Sequence, residues 1–221
     1  VDRINPLREF LLSAAYGAGG LAPAHRADLD TSGITETSRI RQGIRSLPLC
    51  DRDRLLGFEV PAAVRSLMLI PYPDPDGGYF DAFQVKLFPA LENRDGHKTK
   101  YLQPRGSSPR LYFVRSVLPL AMDASVPLYV LEGAKKSITA AQLGLAAIGF
   151  TGIEGWHARG SSVLLDDFDR LPLCGRLVKV VPDGDVQTNP AVERGAGRLA
   201  EALEARGARV RVVLLPAAVA A

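Results

Sequence analysis

Two short acidic motifs stand about fifty residues apart in this 221-residue chain. The first is Glu132-Gly133, in PLYVLEGAKKS, and the second is Asp183-Gly184-Asp185, in RLVKVVPDGDVQTNP. Each follows an apolar, β-rich run and each precedes a helical pattern. In a parallel α/β sheet that order puts three carboxylates at the carboxyl ends of strands, where such folds build their sites. Three converging carboxylates repel one another unless a cation sits among them. Mg²⁺ suits the position, because it takes oxygen ligands and keeps waters and phosphates as its remaining partners. The spacing therefore points to metal-dependent phosphoryl transfer on nucleotides or nucleic acid. Taken singly, each motif has a plainer reading. Glu132 can be a carboxylate at a helix start, favoured by the dipole, or a general base on a nucleotide 3′-hydroxyl. Asp183 and Asp185 can belong to a simple Asp-Gly turn.

A second feature is charge interleaved with aromatics. Residues 86–115 carry seven basic side chains against Glu92 and Asp95, a local excess of +5 on a chain whose formal net charge is +3. Lys86, Lys98, Lys100 and Arg105 lie in this run with His97, Tyr101, Tyr112 and Phe113. Cations beside aromatic rings suit a phosphate backbone and its bases. A solvated hairpin face gives the same composition.

The elements that must position these residues divide near residue 126. Before it the pattern is mixed and rich in turns. PLREFLLSAAYGA reads as a helix, GGLAPAH as a breaker-rich stretch, and Thr35 to Arg45 as a short helix capped by Thr35. SLMLIPY and YFDAFQVKLFP, joined by YPDPDGG, predict an antiparallel hairpin. ENRDGHKTKYLQPRGSSPR reads as a mobile basic loop, and LYFV as a closing strand. After residue 126 the chain alternates β-α-β-α-β-α-β. PLYVLE, LAAIGF, RLVKVV and ARVRVVLLP are the strands. AKKSITAAQLG and AVERGAGRLAEALEARG are helices ended by Gly144 and Gly207, and SVLLDDFDRLPL is a helix or a loop containing one. That alternation implies a parallel sheet with helices on both faces.

Composition excludes several classes. A hydrophobic fraction of 47% and a charged fraction of 23% are those of a globular protein. No apolar run reaches the 18 residues a membrane span needs. The first twenty residues lack a compact basic leader and a cleavage site, so no signal peptide is expected. Cys50 and Cys174 match no zinc spacing and read as two buried thiols. A cytoplasmic location with no membrane contact fits best. No GxxxxGK[ST] is present, so no helicase motor is expected in this sequence. Asp166, Asp167 and Asp169 read as helix-start charges, and His157 as a surface-loop residue.

The LEG and PDGD motifs, in this order and topology, resemble the TOPRIM domain of bacterial-type primases, topoisomerases and a group of nucleases. A longer stretch, residues 30–216, is similar to a TOPRIM-like, primase-type domain family of phage, plasmid and mobile-element replication proteins. It carries SGIT, KYL, LEGAKKSITAAQLGLAAIGFTGIEGW, DGDVQTNPAV and LEARGARVRVVLLP. The resemblance implies an α/β fold: a TOPRIM-like four-stranded, mainly parallel sheet flanked by helices over residues 127–221, with an irregular α+β primase-like subdomain over residues 1–126. It implies Mg²⁺ or Mn²⁺ held by Glu132, Asp183 and Asp185 as catalytic ligands. Lys86, Lys98, Lys100, Tyr101 and Arg105 would face nucleic acid or triphosphate across a basic cleft, with Lys135 and Lys136 assisting. The implied activity is a primase-type nucleotidyltransferase making short primers for DNA replication. Its partners would be single-stranded DNA template, nucleoside triphosphates and a replicative helicase.

The sequence departs from the primase pattern at two places. The first motif of such primases usually reads E-G-x-x-D, and here the fifth position is Lys136. The second motif usually continues Arg-Ala-Gly, and here it continues Val186-Gln187-Thr188. A TOPRIM nuclease would use the same carboxylates with water as nucleophile. A non-catalytic nucleic-acid-binding module of a replication protein is the other alternative.

Overall fold

A computed structural model describes residues 20–47, 49, 52–96, 98–158, 160–184 and 189–215. The helix expected over residues 6–18, together with Cys50, His97 and Asp185, lies outside the described residues. The chain splits into two compact units, residues 1–108 and 109–221.

The first unit is built on a four-stranded antiparallel sheet in the order β1-β2-β3-β4: β1 (Arg45–Leu47), β2 (Ser66–Pro73), β3 (Tyr79–Glu92) and β4 (Lys98–Leu102). The expected hairpin is present, with Ser66 opposite Phe88 and Leu69 opposite Val85. Helices α1 (Pro23–Thr31), α2 (Glu36–Gln42) and α3 (Arg52–Leu56) belong to the same unit. Period-2 alternation sorts the sheet's two faces. Leu47, Leu67, Leu69, Phe83, Val85 and Leu87 turn to one face and form an apolar core with Leu56, Val60 and Val64. On the other face Ser46, Met68, Lys86 and Tyr101 form a registered row across all four strands.

Two expectations are corrected here. The breaker-rich stretch opens a helix, because Pro23 sits in its first turn, where a missing N–H costs nothing. The basic segment after residue 92 is not all loop. Residues 93–96 turn, with Asp95 N–H on Asn93 Oδ1 at 3.1 Å, and β4 then pairs along β3. Its alternation of exposed Lys98 and Lys100 with half-buried Thr99 and Tyr101 is that of a charged edge strand. The Thr35 cap is as expected: its side chain accepts the Ser38 N–H at 3.3 Å.

The second unit is a five-stranded mixed sheet, β5 (Tyr112–Phe113), β6 (Leu128–Glu132), β7 (Ala146–Phe150), β8 (Leu177–Val181) and β9 (Arg209–Val212), in the order β5-β7-β6-β8-β9. Four of its strands are mutually parallel, and β5 runs antiparallel beside β7. The sheet therefore has one strand more than the four expected: LYFV joins it instead of closing the N-terminal region. Helix α4 (Leu118–Ala121) precedes β6, α5 (Ala134–Gln142) links β6 to β7, and α6 (Pro190–Ala205) links β8 to β9. The central strands are near-continuous apolar runs, as burial on both faces requires. All five residues of β7 are buried. Gly149 is needed there, since a Cβ would stand 2.5 Å from Ser137 Oγ of α5.

The segment expected to hold a helix before β8 contains a short 3-10 turn, Asp166–Arg170. Its acids are not generic helix-start charges. Asp167 is buried, accepts the Leu111 N–H at 2.8 Å and pairs with Arg110 at 2.8 Å. Asp169 pairs with Arg206. Cys174 is exposed, not buried, in the turn before β8.

Burial pushes the Asp167 carboxyl up, against the Leu111 N–H and Arg110, which pull it down. The native state thus holds that proton more tightly than the unfolded chain. Its contribution to stability is full below the unfolded carboxylate value of about 3.9 and is lost as pH rises through the raised native value. Asp167→Asn keeps an acceptor for Leu111 and removes the buried charge. We predict that the variant gains on the wild type between pH 4 and pH 7 in urea melts. An unchanged difference at the two pH values would count against a buried-charge cost.

Candidate active site

The parallel strands turn their carboxyl ends to one edge of the sheet. From β6 the chain passes through α5 to β7 on one side, while β8 lies on β6's other side. The topological switch point therefore falls between β6 and β8, where open α/β sheets place ligands. Leu131 is registered with Val181. Glu132 ends β6 and Asp183 lies two residues beyond β8, so the two acidic motifs leave adjacent strands at this point. Glu132 is half-buried, flanked on its other side by Phe150.

The turn after Glu132 depends on Gly133. Its φ of +91° with ψ of 145° is closed to L side chains. Gly133 N–H donates to the Phe150 carbonyl at 2.7 Å, and its own carbonyl accepts the Ser137 hydroxyl at 3.0 Å. Helix α5 thus starts immediately beyond the strand end. Its first turn carries no acidic side chain. Lys135 and Lys136 stand there, although a helix's amino end favours negative charge. The Lys136 ammonium forms an ion pair with Asp183.

Among the described residues no group of three or more His, Cys, Asp or Glu side chains is placed to hold a metal ion. Asp185 lies outside them. Of the three expected carboxylates, Glu132 and Asp183 are among the described residues, at or just past the ends of adjacent strands, and carboxylate oxygens are the donor type a hard divalent cation takes.

The loop after β7 is organised more tightly than its sequence suggests. Trp156 is buried. His157 Nε2 meets Glu154 Oε2 at 2.9 Å, and Glu154 also pairs with Arg198 of α6. His157 is thus engaged within the loop.

The basic residues of the first unit separate into two groups. Lys86 has a side chain only 15% exposed and is paired with Asp28 of α1. Its ammonium stands 5.5 Å from the Phe88 ring centroid and 5.7 Å from that of Tyr101. Burial first, and then Asp28, push the Tyr101 hydroxyl up to about 12. His25 adjoins this cluster. Its ring lies 4.4 Å from Phe88, Nδ1 is 2.7 Å from Ser46 Oγ, and Nε2 is 2.9 Å from Ser66 Oγ. Burial lowers the His25 pKa, with Asp28 opposing. Lys86 and Tyr101 therefore belong to an internal polar cluster, of which sequence reading missed His25 and Asp28. Lys98, Lys100 and Arg105 are exposed. Lys98 lies 3.6 Å from Glu92.

Comparisons with known proteins agree with this architecture. Residues 119–219 match a family model described as a domain of unknown function, DUF3854. No curated protein matches the sequence. The fold is similar to that of the DnaG catalytic core, with a TM-score of 0.61 and 19% identity over 96% of this chain and 70% of that one. It is also similar to the Aquifex aeolicus primase structure comprising zinc-binding and RNA polymerase domains. There the TM-score is 0.66 and the identity 14%, over 96% of this chain and 55% of that one. The chain thus spans little more than half the length of the second structure. The fold is a mixed α/β arrangement of two sheets, similar to primase cores.

Proposed function

We propose that this chain is a primase-type nucleotidyltransferase that makes short primers on single-stranded DNA. The observation that carries the proposal is the placement of Glu132 at the end of β6 and of Asp183 just beyond the end of the adjacent β8, at the switch point of a primase-like fold. In this reading the parallel strands β6–β9 with α5 and α6 form a TOPRIM-like catalytic domain. Glu132, Asp183 and Asp185 would hold Mg²⁺ or Mn²⁺, which would offset charge on the transferring phosphoryl group and the leaving pyrophosphate.

The chain's own groups have separable tasks. A 3′-hydroxyl oxygen attacks the α-phosphorus of a nucleoside triphosphate, the bond to the β-phosphate oxygen breaks, and pyrophosphate leaves. Glu132 is the acceptor for the hydroxyl proton. Lys98, Lys100 and Arg105 supply sequence-independent attraction for template phosphates. Lys86 and Tyr101, expected with them from the sequence, lie in the Asp28 cluster and would act from there. Lys135 is the cation nearest in sequence to the carboxylates and would assist with the triphosphate.

One observation favours a second reading. Asp183 already carries a cation, Lys136, as a metal-independent nucleic-acid-binding module would allow. Incubation with single-stranded DNA, labelled nucleotides and Mg²⁺ or Mn²⁺ separates the cases. New short oligonucleotides are the expected product. A shortened template with no new strand would instead indicate a nuclease. Neither product, with salt-sensitive DNA binding retained, would leave the binding module.

A further inference from the structure

We propose that Lys136 is a built-in counter-ion of Asp183, competing with a divalent cation for that carboxylate and so setting the metal affinity of the site. The inference rests on the reading of Glu132 and Asp183 as metal-holding carboxylates.

Three observations support the competition. The Lys136 ammonium is in direct contact with Asp183, from a position 47 residues earlier in the chain. It comes from the first turn of α5, whose dipole is positive there and whose first turn has no acidic side chain to offset it. Both partners are partly solvated, at 50% exposure for the Lys136 side chain and 38% for Asp183. A pair this exposed is weak enough for a divalent ion to displace. The incoming ion must still displace one cation and then remain close to it. Lysine's ammonium ends a flexible four-carbon stem, so it can swing off Asp183 while staying tethered beside it. Lys136 thus makes metal binding harder without closing the site.

Mn²⁺ titration of the full chain tests this, by calorimetry and by water-proton relaxation. Lys136→Met keeps much of the stem's apolar bulk and removes the charge. Because Lys136 is exposed, the variant should melt with the wild type. Its Mn²⁺ dissociation constant is expected to fall roughly tenfold, from loss of both the competing pair and the like-charge repulsion. Asp183→Asn in the Lys136→Met background should erase the gain. Wild-type binding with no tightening in Lys136→Met, or a gain that survives Asp183→Asn, would overturn the competition and leave the metal reading standing. No Mn²⁺ binding in either the wild type or Lys136→Met would overturn both.

Discussion

Glu132→Gln is expected to lower primer synthesis by about 10²-fold or more while leaving template binding intact. The substitution keeps the side chain's size and one acceptor oxygen, and removes its charge and basicity. Glu132 closes β6 between Phe150 and the β8 side of the sheet. Helix α5 is anchored by the backbone of Gly133 and by Ser137. Its placement therefore does not depend on the Glu132 charge, and melting should be unchanged. Asp183→Asn should give a loss of the same order. If the carboxylates act as one unit, the double variant will be little worse than either single one. Multiplying losses would mean that the two residues act independently. Synthesis retained in Glu132→Gln at near wild-type rate would remove this carboxylate from the chemistry altogether.

The parts of this picture that can be read in the sequence are those written in short-range pattern. The β6–α5–β7 and β8–α6–β9 units announce themselves by apolar runs, helical spacing, and glycines placed just past each helix. Gly144 and Gly207 both adopt positive φ there. Because Glu132 ends one strand and Asp183 lies two residues past another, their placement at one edge of the sheet is legible too. What sequence does not supply is set by contacts across long separations. The ion pair of Lys86 with Asp28, 58 residues away, has no signature in the sequence around either residue. Asp167 reads as a helix-start charge and is instead the buried acceptor for Leu111, 56 residues away. Pro23 reads as a breaker because its role depends on whether it falls in the first turn of a helix or inside it. The strand β4 escapes sequence reading since a charged edge strand and a basic loop share one composition. The charge at Lys136 is visible, but its pairing with Asp183 follows only once β6 and β8 are neighbours.

Arg176 is the long-range residue with the largest expected effect on stability. It is 1% exposed, just before β8. Its guanidinium donates to three carbonyls: Nε to Val126 at 2.8 Å, Nη1 to Ala121 at 2.6 Å and Nη2 to Leu120 at 2.9 Å. Two of these carbonyls belong to the end of α4, where a helix leaves its last carbonyls without intrahelical donors. The third begins the approach to β6. One side chain therefore fixes the route from α4 into the strand that ends at Glu132. Burial pushes the Arg176 pKa down, with Asp123 opposing, yet a guanidinium stays charged across the accessible range. Arg176→Met would fill the space and take the donor from all three carbonyls, of which, among the described residues, only Leu120's keeps another, the Asp123 N–H at 3.3 Å, at a cost of about 3–5 kcal/mol. In a chain of this size that lowers the melting temperature by roughly 10 °C. Arg176→Lys supplies a point charge in place of a planar fork and should fall between the two. Urea melts of the three proteins, with amide exchange followed along residues 118–132, would reveal a loss concentrated there. If Arg176→Met melts within about 1 kcal/mol of the wild type, the range of ordinary surface pairs, the clamp is not what holds β6 in place.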